Sequence, residues 1–91
     1  MTLYRLDLSA SAKRQLKSVY PERKRQEILN AILDLREDPL PPQSELQREL
    51  AGRYRLKIDG WRVLYKIDEV DRVVTILVIR PRSASTYLNV P

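Results

Sequence analysis

The fold of this chain is most constrained by two short alternating runs, YRLKI and WRVLY, which are joined by Asp59-Gly60. Both residues of an Asp-Gly pair accept positive φ, which a two-residue turn between antiparallel strands requires. The pattern therefore predicts a β-hairpin over Tyr54–Tyr65, and counting outward from the turn fixes which residues face each other.

Strand alternation divides the side chains of this hairpin between two faces. One face is apolar and is predicted to pack on the core; it consists of Tyr54, Leu56, Ile58, Trp61, Val63 and Tyr65. The other face carries Arg55, Lys57, Arg62, Leu64 and Lys66. Lys57 falls directly opposite Arg62, although like charges opposite each other destabilise a sheet. A local conflict of this kind in an otherwise consistent hairpin indicates a site for an anion.

The composition limits the chemistry that the chain can perform. Its 91 residues are enough for one domain, spanning residues 1–91, with a single modest core. Histidine and cysteine are absent, which excludes Ser–His–Asp and Cys–His catalysis, disulfides and thiolate-bound zinc. No close pair of carboxylates falls on a strand face, and no glycine-rich phosphate loop is present. We therefore expect neither a metal nor a cofactor.

The net charge of +5 is concentrated in the half of the chain that contains the hairpin. Residues 1–52 hold nine basic and eight acidic residues, whereas residues 53–91 hold eight basic and four acidic residues. A basic surface favours a phosphate-rich partner or an acidic protein. The N-terminus does not resemble a secretory signal, and no apolar run approaches the ~20 residues that span a membrane. We expect a soluble protein of the cytoplasm without a membrane partner.

The remaining periodicity predicts two strands and two helices around the hairpin. Leu3–Leu8 alternates as a strand, and Val73–Ile79 is a nearly continuous apolar run typical of a central strand that is buried on both faces. A first helix is expected to begin at Ser9 or Ser11 and to end before Pro21. A second helix is expected from Pro21 to about residue 38.

The order of elements is therefore β-α-α-β-β-β, with residues 38–45 as a stiff connector and residues 83–91 as a short tail. This order predicts an α+β fold, in which a mainly antiparallel four-stranded sheet carries the two N-terminal helices on one face. Arg23, Lys24 and Arg25 are interpreted as a solvated face of the second helix. The basic residues of the hairpin are expected on the uncovered face of the sheet.

A cluster of arginine and lysine with a tyrosine or two is the chemistry that remains. Such a cluster is suited to metal-free cleavage of RNA, because the ribose 2′-hydroxyl already lies beside the phosphorus. The protein needs to orient that hydroxyl, neutralise charge on the phosphoryl oxygens and help the 5′-oxygen leave. Arginine suits this task because it is always charged and donates two hydrogen bonds to one phosphate.

Several segments of the chain resemble, in their order and spacing, the RelE/ParE superfamily of toxins from bacterial type II toxin–antitoxin systems. These segments are SASAKRQL, ILDLREDPL, LAGRYRLKI, WRVLYKI and VVTILVIRPRS, followed by a closing Tyr87. The resemblance implies a RelE-like, microbial-RNase-like fold. The basic residues and the closing tyrosine resemble the RelE branch, whose members are ribosome-dependent endoribonucleases (mRNA interferases) that cut messenger RNA in the ribosomal A site without a metal.

The resemblance also implies the partners of such a toxin, which are a cognate antitoxin protein, the messenger RNA and the ribosome with its 16S rRNA. The main alternative is the ParE branch, which poisons DNA gyrase and catalyses nothing. A ribonuclease without A-site specificity and a regulatory module with degenerate nuclease activity are further alternatives.

The resemblance assigns a role to each candidate residue. Arg62 is expected to stabilise the reacting phosphate, and Lys57 to supply positive charge and to be a candidate base. Arg82 is the preferred arginine for neutralising the leaving oxygen, with Arg80 as its rival. Tyr87 is expected to stack on a base or to orient the 2′-hydroxyl.

Two further cations complete the predicted phosphate site. Arg55 stands where some members of the superfamily have lysine, and arginine binds phosphate but does not act as a base. Any base role therefore falls to Lys57 or Tyr87. Lys66 is assigned to phosphate binding on the same face, although a solvated strand residue is its simplest interpretation.

Overall fold

The computed structural model of the chain describes residues 3–41, 44–46 and 53–81. Two helices and five strands lie within these residues: β1 Arg5–Leu8, α1 Ala10–Lys17, α2 Glu22–Asp34, β2 Ser44–Leu46, β3 Arg53–Ile58, β4 Trp61–Asp68 and β5 Val73–Pro81. The strands form one sheet in the order β1-β5-β4-β3-β2. The β1–β5 pair is parallel and the other pairs are antiparallel, as a helical crossover between β1 and the later strands allows.

The predicted α+β class, the two N-terminal helices and the four predicted strands are all confirmed. The sheet has one strand more than the four predicted, because residues 44–46 of the connector pair with β3 as an edge strand. This strand could not be predicted, because its pairing at the edge of the sheet depends on backbone hydrogen bonds. Three residues are also too few to show the alternation of side chains that indicates a strand.

The helices start where the local signals in the sequence predict, but both end before the predicted residues, α1 at Lys17 and α2 at Asp34. Ser9 is the N-cap of α1, and its Oγ accepts a hydrogen bond from the backbone N–H of Ala12 at 3.0 Å. Pro21 is the N-cap of α2 and follows a cis peptide bond. None of the described helices is long and apolar enough to cross a membrane.

The core lies between the two helices and one face of the sheet. Its buried side chains from the helical half are Ala12, Val19, Ile28, Ile32 and Leu35, and those from the sheet are Leu56, Ile58, Val63, Tyr65, Val74, Ile76 and Ile79. The apolar face predicted for the hairpin is therefore confirmed, with Tyr54 and Trp61 half-buried against this cluster. Tyr65 is fully buried; its ring stacks on Tyr54 at 5.8 Å, and its hydroxyl donates to the carbonyl oxygen of Pro39 at 2.6 Å.

Strand β5 is central in the sheet, as predicted, but it is not regular. Tyr65 of β4 lies opposite Ile76, whereas the preceding Leu64 lies opposite Val78, so Leu77 has no opposite residue. This β-bulge reverses the alternation of β5, because one extra residue moves every following side chain to the other face. The unbroken apolar run in the sequence therefore does not mean burial on both faces: Leu77 and Val78 are only half-buried.

Candidate functional site

Three cations from three neighbouring strands lie in one line across the sheet. The register places Lys57 opposite Arg62, as the sequence predicts, and it places Arg62 opposite Arg80. We call these three residues the cation row. Opposite residues in antiparallel strands have Cα atoms about 5 Å apart, so the backbone positions of the row span about 10 Å. One phosphate group is small enough to contact donors from more than one member of this row.

The cation row lies on the face of the sheet that faces away from the helices. Its neighbours along the strands, Leu56, Val63 and Ile79, are buried in the core against the helices. Alternation directs the row to the other side, where Lys57 and Arg80 are exposed and Arg62 is half-buried. The predicted division of the hairpin into a core face and a basic open face is therefore present.

The guanidinium of Arg62 is held against the hairpin turn. Its Nη1 donates to the carbonyl oxygen of Trp61 at 2.9 Å and to that of Asp59 at 3.2 Å. These two bonds occupy one nitrogen of a group that carries five N–H donors. Arg62 forms no ion pair with any residue in the described part of the chain. Its Nη2 and Nε are the atoms that would donate to a phosphate.

The turn that holds Arg62 is itself attached to α2. Asp59 has φ 53°, as the predicted Asp-Gly turn requires. Its Oδ2 pairs at 2.8 Å with Nζ of Lys24, which also pairs with Glu27 at 2.8 Å. The hydrogen bond from Lys24 lowers the pKa of Asp59, and the same bond is the main cause of a raised pKa at Lys24.

The interpretation of Arg23, Lys24 and Arg25 as a solvated helix face therefore holds for Arg23 and not for Lys24. Arg23 is exposed, and Arg25 pairs with Glu22 on its own helix at 3.2 Å. The contact of Lys24 joins residues 35 positions apart. No local pattern in the sequence indicates such a contact, because it depends on how the hairpin packs beside α2.

A second pair of facing cations lies further along the same face. Arg53 is opposite Lys66 in the β3–β4 register, and both side chains are exposed. The pair is four residues from the cation row along each strand, which corresponds to ~13 Å. The sequence prediction includes Lys66 but misses Arg53. Counting one residue pair further from the Asp-Gly turn identifies it.

Arg55 lies between the cation row and the Arg53–Lys66 pair, opposite Leu64, and is half-buried. On its other side, Arg55 lies opposite Glu45 of β2. In the register of the described strands, Asp7 and Asp68 lie beside Thr75 and Val73, near the opposite end of β5 from Arg80. Oδ1 of Asp68 accepts bonds from the N–H groups of its own turn.

Of the seven predicted site residues, the structure brings Lys57, Arg62 and Arg80 together in the cation row. It places Arg55 and Lys66 on the same face. Arg82 and Tyr87 lie outside the described residues, so their positions remain predictions.

Binding of a phosphate in the groove next to the row is disfavoured by acidic side chains. A groove of about 390 Å³ opens beside Lys57 between α2 and β3. Its lining includes Glu27, Asp34 and Asp59, whose charges repel a phosphate. Among the described residues, no group of three acidic side chains is arranged to hold a metal ion. The chemistry that the row offers is therefore neutralisation and orientation of a phosphate by fixed cations.

Comparison with known proteins gives consistent matches over most of the chain. The family model described as the ParE toxin of the type II toxin–antitoxin system, parDE, matches residues 6–85. Toxin RelG of Mycobacterium tuberculosis (strain ATCC 25618 / H37Rv) is 31% identical over 80 residues, which cover 88% of this chain and 92% of RelG.

Solved structures match with similar coverage. A chain of the toxin–antitoxin complex RelBE2 from Mycobacterium tuberculosis is 30% identical, with a TM-score of 0.76 over 88% of this chain and 99% of that one. A chain of the archaeal RelE–RelB complex from Pyrococcus horikoshii OT3 is 25% identical, with a TM-score of 0.78 over 91% and 98%.

Proposed function

This chain belongs to the RelE/ParE superfamily of toxins of type II toxin–antitoxin systems, and on that premise we propose that it cuts messenger RNA in the ribosomal A site. It would act in the cytoplasm as a metal-independent endoribonuclease that stops translation. The observation that carries this proposal is the cation row, in which Lys57, Arg62 and Arg80 face the same side of three adjacent strands.

The proposed reaction is an attack by the ribose 2′-oxygen on the neighbouring phosphorus. The bond from phosphorus to the 5′-oxygen breaks, the 2′-hydroxyl gives up its proton, and the 5′-oxygen takes one. The products are a 2′,3′-cyclic phosphate (or, after hydrolysis, a 3′-phosphate) and a 5′-hydroxyl end. Fixed cations accelerate such a step because negative charge accumulates on the phosphoryl oxygens and on the leaving oxygen.

We assign the roles within the row from its geometry. Arg62 occupies the central strand, and its anchored guanidinium binds the non-bridging oxygens. Arg80 lies directly opposite Arg62, which supports Arg80 over Arg82 as the arginine that neutralises the leaving oxygen. Lys57 supplies charge and is the candidate base within the row. Tyr87 keeps its proposed role of orienting the 2′-hydroxyl or stacking on a base.

The same family membership supports a protein partner. The matched structures from Mycobacterium tuberculosis and Pyrococcus horikoshii are complexes of toxin with antitoxin. We propose that a cognate antitoxin binds this chain and covers the basic face. Arg55, Lys66 and Arg82 would then contribute binding, to the antitoxin in the inactive complex and to messenger RNA or 16S rRNA on the ribosome.

The test is a comparison of transcript ends in a translation extract, with and without ribosomes. The wild-type chain is expected to cut transcripts only when ribosomes are present, and Arg62→Ala is expected to cut about 10²–10³-fold more slowly, as when one charge-stabilising donor is removed. Arg23→Ala is the matched control, because Arg23 is an exposed arginine on α2. If Arg62→Ala cuts as fast as Arg23→Ala, the assignment of the site is wrong.

Inhibition of DNA gyrase is the second candidate function. It is favoured by one observation, the match of a ParE family model to residues 6–85. A supercoiling assay with purified gyrase separates the two candidates. Intact transcripts together with loss of supercoiling would replace the ribonuclease by a gyrase inhibitor.

A further inference from the structure

The bulge at Leu77 determines which face of the sheet carries Arg80. Ile76 is buried on the helix side. In a regular strand the residues that share its face are the second and fourth after it, which are Val78 and Arg80. The extra residue shifts this parity, so that Ile79 is buried and Arg80 is exposed opposite Arg62. Without the bulge, Arg80 would point towards the helices and the cation row would lose its third member.

Helix α1 holds this bulge from the edge of the sheet. Strand β1 ends before Ser9, so among the described residues no strand pairs with this side of β5 beyond that point. Three hydrogen bonds replace the missing ladder. The N–H of Ser9 donates to the carbonyl of Ile76 at 2.9 Å, the Oγ of Ser9 donates to the carbonyl of Leu77 at 2.9 Å, and Oε1 of Gln15 accepts from the N–H of Ile79 at 2.7 Å.

These bonds enclose the irregular part of β5. Their partners in β5 are the bulged residue Leu77, the preceding Ile76, and Ile79 two residues after the bulge. Buried or half-buried backbone groups that lack such partners are unfavourable, so the bonds favour the bulged register over the regular one. Bulges next to functional sites commonly redirect a side chain in this way.

Of the two side chains that bond to β5, Gln15 is the one whose replacement tests the bulge without also removing a helix cap. Ser9 also caps α1 by accepting from Ala12, so replacing it would affect the helix as well as the bulge. Gln15 lies within α1 and is half-buried. Its bond to Ile79 crosses 64 positions of sequence to the residue immediately before Arg80.

We propose that Gln15, assisted by Ser9, is a positioning residue that keeps β5 in its bulged register and so keeps Arg80 in the cation row. The effect on RNA cleavage rests on the proposed function. The effect on the direction of Arg80 and on phosphate binding does not.

The test compares Gln15→Met, which keeps length and helix preference but removes the acceptor, with Gln15→Glu, which keeps an acceptor. Gln15→Ala is a second variant without the acceptor, should Gln15→Met fail to fold. Lys13→Met is the control for a change on the exposed side of α1, and Ile32→Val is the control for lost stability in α2, away from the bulge. All are measured as the full chain.

The first measurement follows the Ile79 amide by hydrogen exchange, and the Nε–H signal of Arg80 by NMR during titration with inorganic phosphate. We expect Gln15→Met to lose protection of Ile79 and to weaken the phosphate response of Arg80 at least about threefold. Gln15→Glu and both controls should keep protection and response. A phosphate response unchanged in Gln15→Met overturns the proposal, as does an equal loss in Ile32→Val.

The second measurement is a double-mutant cycle in the ribosome-dependent cleavage assay. Gln15→Met is expected to slow cleavage about tenfold or more, since displacement of a catalytic group by about 1 Å is already costly. If Gln15 acts through Arg80, the same change made in Arg80→Ala should cost less than about twofold further. Equal losses in both backgrounds would show a purely structural role. If the wild-type chain cuts no RNA, the proposed function fails, and the exchange and phosphate data alone decide the role of Gln15.

Discussion

Replacement of Arg80 by glutamine is expected to stabilise the fold while it abolishes cleavage. Arg80 is exposed at the end of the cation row and faces Arg62. If the two charges are ~8 Å apart at an intermediate dielectric of ~40, their repulsion is about 1 kcal/mol. A Debye length of ~10 Å at 0.1 M salt reduces this to about 0.5 kcal/mol, and one of ~3 Å at 1 M salt reduces it below about 0.1 kcal/mol.

Urea unfolding at the two salt concentrations measures this effect. For a small domain with a urea dependence of about 1–1.5 kcal/mol per molar, the midpoint should rise by about 0.4 M urea at 0.1 M salt. At 1 M salt the gain should disappear. Arg5→Gln is the matched control, because it removes the same charge from an exposed strand position whose register neighbour is Val73, and it should give no gain.

The reasoning from facing cations to an anion site depends on this result. If Arg80→Gln fails to stabilise the fold at low salt, or if its gain persists at 1 M salt, the cations do not repel each other appreciably. The row would then be no compromise between stability and binding, and its occurrence would no longer indicate function.

Three further outcomes are expected. Asp59→Asn keeps a side chain that tolerates positive φ but removes the charge that pairs with α2. The pKa of Asp59 is lowered in the folded state. The stabilising contribution of this carboxylate is therefore present above its ordinary pKa of ~3.9 and is lost as the pH falls below that value. Urea midpoints of wild type and Asp59→Asn should therefore differ at pH 7 and converge as the pH falls below the lowered pKa of Asp59. Tyr65→Phe removes the donor to Pro39 and should lower the free energy of unfolding by about 1 kcal/mol, whereas Tyr54→Phe should leave it nearly unchanged in the same titration. Lys66→Gln should reduce the slope of log affinity for single-stranded RNA against log salt by about 0.7 if Lys66 contacts one phosphate, and an unchanged slope would remove it from the binding face.

The hairpin part of the site could be predicted because its register is set locally. A two-residue Asp-Gly turn determines every facing pair outward from it, and alternation then assigns each side chain to the core or to the open face. Lys57 opposite Arg62 therefore follows from counting. The same count, continued by one pair, gives Arg53 opposite Lys66.

The third member of the row could not be predicted in this way. The face that Arg80 occupies depends on the bulge at Leu77, and VVTILVI shows no alternation that a bulge could visibly interrupt. The groups that hold the bulge belong to Ser9 and Gln15, which are 68 and 64 positions away along the chain from their partners. Only the tertiary packing of α1 beside β5 brings them together, and the contact between Lys24 and Asp59 is hidden from the sequence for the same reason.

The choice between the two branches of the superfamily cannot come from the fold, because both share it. It must come from what the open face is built to bind. A face that binds an acidic protein also gains from positive charge, but its cations need not lie directly opposite one another. A face that holds a reacting phosphate needs the line of charge and tolerates the repulsion. A variant such as Arg80→Gln that is more stable and no longer cuts RNA would therefore identify the row as a phosphate site. A variant that is more stable and equally toxic would favour the gyrase branch.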